Sequence, residues 1–264
     1  MSKAELDAAY NNMAAVADSS QRLADWTDRS ARLRMRQRDE LEIPYGPGSR
    51  NRFDIFRCGR PSAPLAVFIH GGWWQRNSKE VFSCIAEGPM AHGVDVALIG
   101  YTLAPDATLA DMAAEVRRAL DAIASHQRAR DGVTAFSLMG WSAGGHLTAL
   151  TMDHPAVAAG LSISGVFDLE PIRHSYINDK LGLSADDAVA LSPLRRPLSD
   201  KPLTLAFGLA ELPEMQRQSL AFHRHVGSRT ICLPLAGHDH FSIIEDLARP
   251  DGRLSRVFAV QRRG

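Results

Sequence analysis

Beyond residue 48 the chain alternates short, almost uninterrupted apolar runs with longer amphipathic stretches, and this constrains the fold more than any other feature. Runs at 53–57, 65–69, 94–99, 133–139, 161–164, 203–207 and 230–234 read as strands. LAVFI at 65–69 is apolar at every position. A strand with no polar side has no solvated face, which is the condition of a parallel strand covered by helices on both sides. The intervening stretches at 79–91, 109–126, 143–152, 214–225 and 241–248 carry helical periodicity. The expected fold class is α/β, with three layers: a mostly parallel twisted sheet and helices on both faces.

At 264 residues, with 45% of positions hydrophobic, the chain has material for one sizeable core, so a single domain over 1–264 is expected. Residues 1–43 are polar and Arg-rich, anchored by Leu23, Trp26, Leu33 and Leu41, and read as a cap segment of one or two short helices. Arg29, Arg32, Arg34, Arg36 and Arg38 are interleaved with or flanked by Asp25, Asp28, Asp39, Glu40 and Glu42, which reads as a solvated helical face. PYGPG at 44–48 is turn punctuation. Segment 168–201 breaks the later rhythm with Pro171, Pro193 and Pro197, and Pro202 follows just beyond; it reads as a lid insertion over the C-terminal edge of the sheet.

Thirty Lys plus Arg balance thirty Asp plus Glu, so no global field draws the chain to nucleic acid or anionic lipid. Cys58, Cys84 and Cys232 are too few and too scattered for a disulfide framework or a structural zinc cluster. No stretch approaches the apolar length of a membrane span, and the first residues lack the apolar centre of a secretory leader. A cytoplasmic address is expected, with no membrane or nucleic-acid partner. The oligomeric state is left open, a homodimer included.

Gly140-Trp141-Ser142-Ala143-Gly144 follows one apolar run and precedes a helical one, the context of a nucleophile elbow. Such a turn is so tight that side chains at Gly140 and Gly144 would clash, and Ser142 projects above the sheet. A serine hydroxyl is a weak nucleophile at neutral pH, so it needs a base, an orienting carboxylate and oxyanion donors. In chain order the acid follows a late strand and the histidine the last one. Glu211 meets the first condition, with Glu214 as main rival and Asp168 as a weaker one; His240 meets the second, with His238 two residues away. His238 and His240 also have a metal-like spacing, but no third ligand accompanies them, and neither metal nor cofactor is expected. His70-Gly71-Gly72-Trp73-Trp74 follows the run at 65–69, and backbone N–H groups of Gly72, Trp73 and Ala143 are the expected oxyanion donors. Trp74 and Trp141 are expected as an apolar substrate-binding wall.

These motifs resemble the α/β-hydrolases, and within them the kynurenine formamidase (arylformamidase) group related to hormone-sensitive-lipase-like esterases. The resemblance covers nearly the whole chain: LDAAYNN at 6–12, PYGPG at 44–48, HGGWW at 70–74, YTLAP at 101–105, GWSAGGHL at 140–147, ELPEMQRQS at 211–219 and HDHFSIIE at 238–245. It implies an α/β-hydrolase fold with Ser142 as nucleophile, Glu211 in the place of the usual Asp, and His240 as base. The residue before the serine departs from the group's usual His and is Trp141.

The expected activity is therefore a cofactor-free serine hydrolase that cleaves a small carboxylic ester or N-aryl formamide through an acyl-enzyme, in a pocket roofed by 168–201 and the N-terminal segment. A catalytically silent binder on the same fold, or a thioesterase or lactonase on the same triad, are the alternatives. Arg195 and Arg196 are candidates for holding a substrate carboxylate.

Overall fold

The computed structural model describes residues 1–132, 135–197 and 199–257. Helices α1 (Lys3–Ala9), α2 (Asn12–Ala15) and α3 (Ser19–Arg36) lead into strands β1 (Ile43–Pro44), β2 (Arg52–Phe56) and β3 (Leu65–Ile69). A 3₁₀ segment, Lys79–Ala86, runs into α4 (Glu87–Ala91), followed by β4 (Asp95–Ile99), α5 (Leu109–Asp131), β5 (Phe136–Trp141), α6 (Ala143–Leu150) and β6 (Val157–Ile163). Short helices α7 (Glu170–Arg173), α8 (Asn178–Leu181) and α9 (Ala185–Leu191) precede β7 (Leu203–Gly208), α10 (Pro213–Val226), β8 (Thr230–Leu235) and α11 (Ser242–Ala248).

The strands form one sheet in the order β1-β2-β4-β3-β5-β6-β7-β8. Among the described residues only the pairs β1–β2 and β2–β4 are antiparallel; Leu65 pairs with Asp95 and Ala66 with Ser137 in the parallel part. From β3 the chain winds outward to β4 and then returns to β5 on the other side. The crevice between β3 and β5 is thus a topological switch point, where the loops leaving the strand ends diverge and a ligand can enter.

Side chains of each buried strand alternate between two cores, one on each face. Leu65, Val67 and Ile69 of β3 join Met112, Val116 and Leu120 of α5 and Leu147 of α6. Ala66 and Phe68 face the opposite way, toward Trp26 and Leu33 of α3 and Ile243, Ile244 and Leu247 of α11. Each fully buried Leu, Ile or Phe contributes about 1.5–3 kcal/mol, so the two faces together hold the sheet's register.

The stretch expected as one helix over 79–91 is instead a 3₁₀ segment followed by a short helix. Gly88 explains the tight fit there: a Cβ on it would lie 2.0 Å from the Leu247 carbonyl oxygen of α11. Strand β6 begins at Val157, earlier than expected. Residues 133 and 134 of the expected strand at 133–139 lie outside the described residues.

The arginine run is not a wholly solvated face. Arg34 reaches inward to the fully buried carboxylate of Asp54, and also to Glu42 at 2.9 Å. Lys79 Nζ, itself buried, donates to both Asp54 oxygens at 2.8 and 2.9 Å. Arg29 pairs with Glu245 of α11 at 2.8 Å. These charges are desolvated by the helix that covers them, and pairing offsets that cost.

Candidate active site

Ser142 sits between β5 and α6 with φ 57° and ψ −117°, a conformation that costs a non-glycine residue about 1–3 kcal/mol. Its N–H donates to Ile163 O at 2.8 Å, and its carbonyl accepts from His146 N at 3.1 Å, which locks the turn. The flanking glycines are steric requirements. A Cβ at Gly140 would approach Gly144 O at 2.2 Å, and one at Gly144 would approach Ile69 O at 2.0 Å.

A continuous hydrogen-bonded path leads from this serine. His240 Nε2 lies 3.1 Å from Ser142 Oγ, and His240 Nδ1 lies 2.8 Å from Glu211 Oε2. All three side chains are buried. The second oxygen of Glu211 accepts from Ser164 Oγ and from Gly208 N, both at 2.6 Å. Neither partner was apparent in the sequence. Gly208 cannot carry a side chain, because its Cβ would sit 2.0 Å from His238 O.

The rival residues are engaged elsewhere. Glu214 accepts from Tyr10 OH at 2.7 Å and pairs with Arg217. Asp168 meets Arg195 at 3.4 Å. His238 Nδ1 lies 3.2 Å from Ser242 O, and Asp239 accepts from Phe241 N at 2.8 Å and Ser242 N at 2.7 Å, capping α11. Among the described residues, the one convergent group of metal-capable side chains is Glu42, Asp54 and Glu80, and the Lys79 ammonium fills it.

Trp141 packs its ring 5.1 Å from the imidazole of His240, and its Nε1 donates to His240 O at 2.9 Å. Trp26 of α3 meets Trp141 edge-on at 5.9 Å and stacks on Phe241 at 6.2 Å. The N-terminal segment thereby buttresses the residue before the serine and the residue after the histidine together.

The loop after β3 is strained. Trp73 and Trp74 adopt φ 52° and 59°, and Gly72 adopts φ 122° with no room for a Cβ, which would lie 2.4 Å from Arg76 O. Among the described residues, the N–H groups of Gly72, Trp73 and Ala143 make no hydrogen bond within the protein. Preceding them, His70 is fully buried, its ring stacked at 4.5 Å on Tyr101, and burial pushes it down to about 4, so it carries no charge at neutral pH. Trp73 lines the pocket beside the serine, but Trp74 does not. The two rings still touch, tilted with centroids 5.9 Å apart, but Trp74 is the inner one, fully buried and edge-on to His146 at 5.1 Å. The expected substrate contact by Trp74 is therefore corrected to a core contact.

The pocket encloses about 30 Å³ of water-accessible space. Asn12, Met13 and Leu23 roof it, Gly72, Trp73, Trp141 and Phe241 form its walls, and Arg76 and Asn77 stand at one side. None of the described residues of 168–201 is among its lining, so the roof comes from the N-terminal segment. The insertion packs alongside: Gln75 Nε2 donates to Ile177 O at 2.6 Å, and Tyr176 N donates to Asp7 at 2.6 Å. Among the described residues no helix is long and apolar enough to cross a membrane.

The BD-FAE family model matches residues 54–158, which contain Gly72, Trp73, Ser142 and Ala143. A kynurenine formamidase from Salmo salar is 29% identical over 238 residues, covering 82% of this chain and 80% of its own length. Among solved structures, a candidate thioesterase from Silicibacter sp. TM1040 superposes with a TM-score of 0.88 at 30% identity, covering 96% of this chain and 98% of the other. An esterase from Pyrobaculum calidifontis shares the fold with a TM-score of 0.71 at 17% identity and 93% coverage of each chain.

Proposed function

This chain belongs to the arylformamidase and esterase group of α/β-hydrolases, and on that footing we propose that it is a serine hydrolase acting on small carboxylic esters or N-aryl formamides. The observation that carries this reading is the unbroken path from Ser142 through His240 to Glu211 at the floor of an aromatic pocket.

With its proton on Nδ1, where Glu211 accepts it at 2.8 Å, the imidazole of His240 presents a lone pair at Nε2 to the Ser142 hydroxyl. Ser142 Oγ attacks the acyl carbon as its proton passes to Nε2. Glu211 stabilises the imidazolium, and the bonds from Ser164 and Gly208 to its other oxygen hold the carboxylate aligned. The N–H groups of Gly72, Trp73 and Ala143 are free to donate to the carbonyl oxygen as negative charge develops on it; each such donor is typically worth about 3 kcal/mol. The imidazolium then protonates the departing alcohol or arylamine, leaving an acyl- or formyl-serine. Water, deprotonated by His240, attacks this ester and releases the acid and the serine.

Ser142→Ala should abolish turnover of p-nitrophenyl acetate while leaving the circular dichroism spectrum and the melting temperature close to those of the parent. Turnover retained by that variant would overturn the nucleophile. Parallel assays with short-chain p-nitrophenyl esters and N-formylkynurenine divide the two substrate classes. A thioester is the second reading, favoured by the full-length superposition on the Silicibacter protein, and an acetyl thioester assayed beside the oxygen ester decides it.

A further inference from the structure

Two features at the side of the pocket take no part in the chemistry above. Arg76 lines the catalytic pocket together with Ser142 and His240, and it also lines the adjoining groove with Asp7, Asn11 and Tyr176. Its side chain is exposed, and among the described residues its guanidinium has no carboxylate partner and no hydrogen bond. Asp7, the acid that shares this groove, is already committed to Lys3 Nζ at 2.8 Å and to Tyr176 N at 2.6 Å. Arg195 and Arg196, the arginines expected from sequence to serve as anion sites, are engaged elsewhere with Asp168 at 3.4 Å and Ala190 O at 2.9 Å.

Asn12 is the second feature. It is 3% exposed and lines the same pocket, yet neither its Nδ2 nor its Oδ1 has a partner. A buried amide with both groups unsatisfied is uncommon, and it leaves a donor and an acceptor available to a polar ligand.

Arg76 is held close to the reacting centre by the main chain. Its N–H donates to Gly72 O at 3.1 Å, so it belongs to the tight turn that carries Gly72 and Trp73. The surrounding wall is apolar, with Met13, Trp73 and Phe241. Among the described residues that line the pocket, Arg76 is the one Lys or Arg and there is no Asp or Glu, so it sets the local preference for ligand charge. A guanidinium offers two parallel N–H donors matched to the two oxygens of a carboxylate.

We infer that Arg76 is a specificity-determining residue that receives a carboxylate carried by the substrate at a distance from the scissile bond, with Asn12 offering a further polar contact. The inference rests on Ser142 being the nucleophile, and it narrows the preferred substrates to esters or amides that carry a carboxylate.

Arylboronic acids test it, because they form a tetrahedral adduct with an activated serine without being turned over. The probes are meta- and para-carboxyphenylboronic acid, each paired with its neutral methyl ester, and the readout is the ratio of inhibition constants within a pair. In the parent protein at least one carboxylated probe should bind about tenfold or more tightly than its methyl ester. Arg76→Met should bring that ratio close to one, and Arg76→Lys, which keeps the charge but loses the fork, should retain part of it. Equal binding of acid and ester in the parent, or a ratio unchanged by Arg76→Met, would overturn the inference. If no boronate of either charge inhibits, the serine reading itself fails, and the carboxylate site falls with it.

Discussion

The indole nitrogen of Trp141 donates to the backbone carbonyl of His240 at 2.9 Å, so the residue immediately before Ser142 fixes the main chain of His240. The indole spans the gap between two loops that are 99 residues apart in sequence. The bond gives Trp141 two separable duties, as wall of the pocket and as tether of the imidazole.

Trp141→Phe keeps an aromatic wall and removes the tether. We expect kcat for p-nitrophenyl acetate to fall about tenfold, equivalent to roughly 1.4 kcal/mol, with a smaller change in KM. Steady-state kinetics separate the two duties: a rise in KM at constant kcat would mean that the tether has no part in catalysis.

The carboxylate offers a ranked comparison. Glu211→Gln removes the negative charge beside the imidazole and favours the wrong tautomer, so kcat should drop by about 10³–10⁴. Ser164→Ala leaves the charge but frees one of its oxygens, and a fall of about tenfold is expected. Glu214→Gln should change the rate only a few-fold, since that side chain serves Tyr10 and Arg217. Rates for the three variants under one set of conditions check the order, and a greater loss in Glu214→Gln than in Glu211→Gln would move the acid.

Acid should destabilise the fold in two stages. His70 and His146 are buried and neutral, each pushed down to about 4 from 6.5 by desolvation. Their folded-state values lie below the unfolded one, so their contribution is complete above pH 6.5 and is lost as pH falls toward 4. Glu40 is held at about 2, against an ordinary 4.5, by Arg57, His126 and Arg130 acting against the desolvation that would raise it; its contribution is lost below pH 4.5. Urea denaturation at pH 7.5, 5.5 and 4.0 should show falling stability across the upper window, and His146→Gln should flatten part of that slope. An unchanged slope in the variant would place the sensitivity elsewhere.

Asn12→Leu is expected to separate stability from function. Replacing a buried, unpartnered amide by an apolar group of similar shape should raise stability by about 1 kcal/mol, seen as a higher melting temperature. The same change should weaken the carboxylated boronates. A lower melting temperature would show that the amide is satisfied in solution.

Much of this arrangement was legible in residues 65–69, where every position is apolar and strand β3 forms over that span. Strand β6 was read too short because its opening, VAAG, consists mostly of small residues with weak strand preference, and burial between β5 and β7 decides the matter. Ser142, Glu211 and His240 could be ordered along the chain because the fold places each after a particular strand. Ser164 and Gly208 could not, since their bonds to Glu211 depend on how far two strand ends diverge. The two adjacent tryptophans look equivalent in sequence, and only the left-handed backbone assigns Trp73 to the pocket and Trp74 to the core. The inward turn of Arg34 was hidden for a related reason: Arg34 is on helix α3, and its partner Asp54 belongs to strand β2.

Because Asn12, Met13 and Leu23 cover a serine set by β5, the polypeptide divides its labour between two separate stretches. In the proposed function, bond cleavage falls to the sheet's rim, while the choice of substrate is shared between this covering segment and Arg76 in the loop after β3. Exchanging the segment between homologous proteins, with chimeras joined near residue 44, should therefore alter the apolar part of the preference and leave the preference for a carboxylate with Arg76.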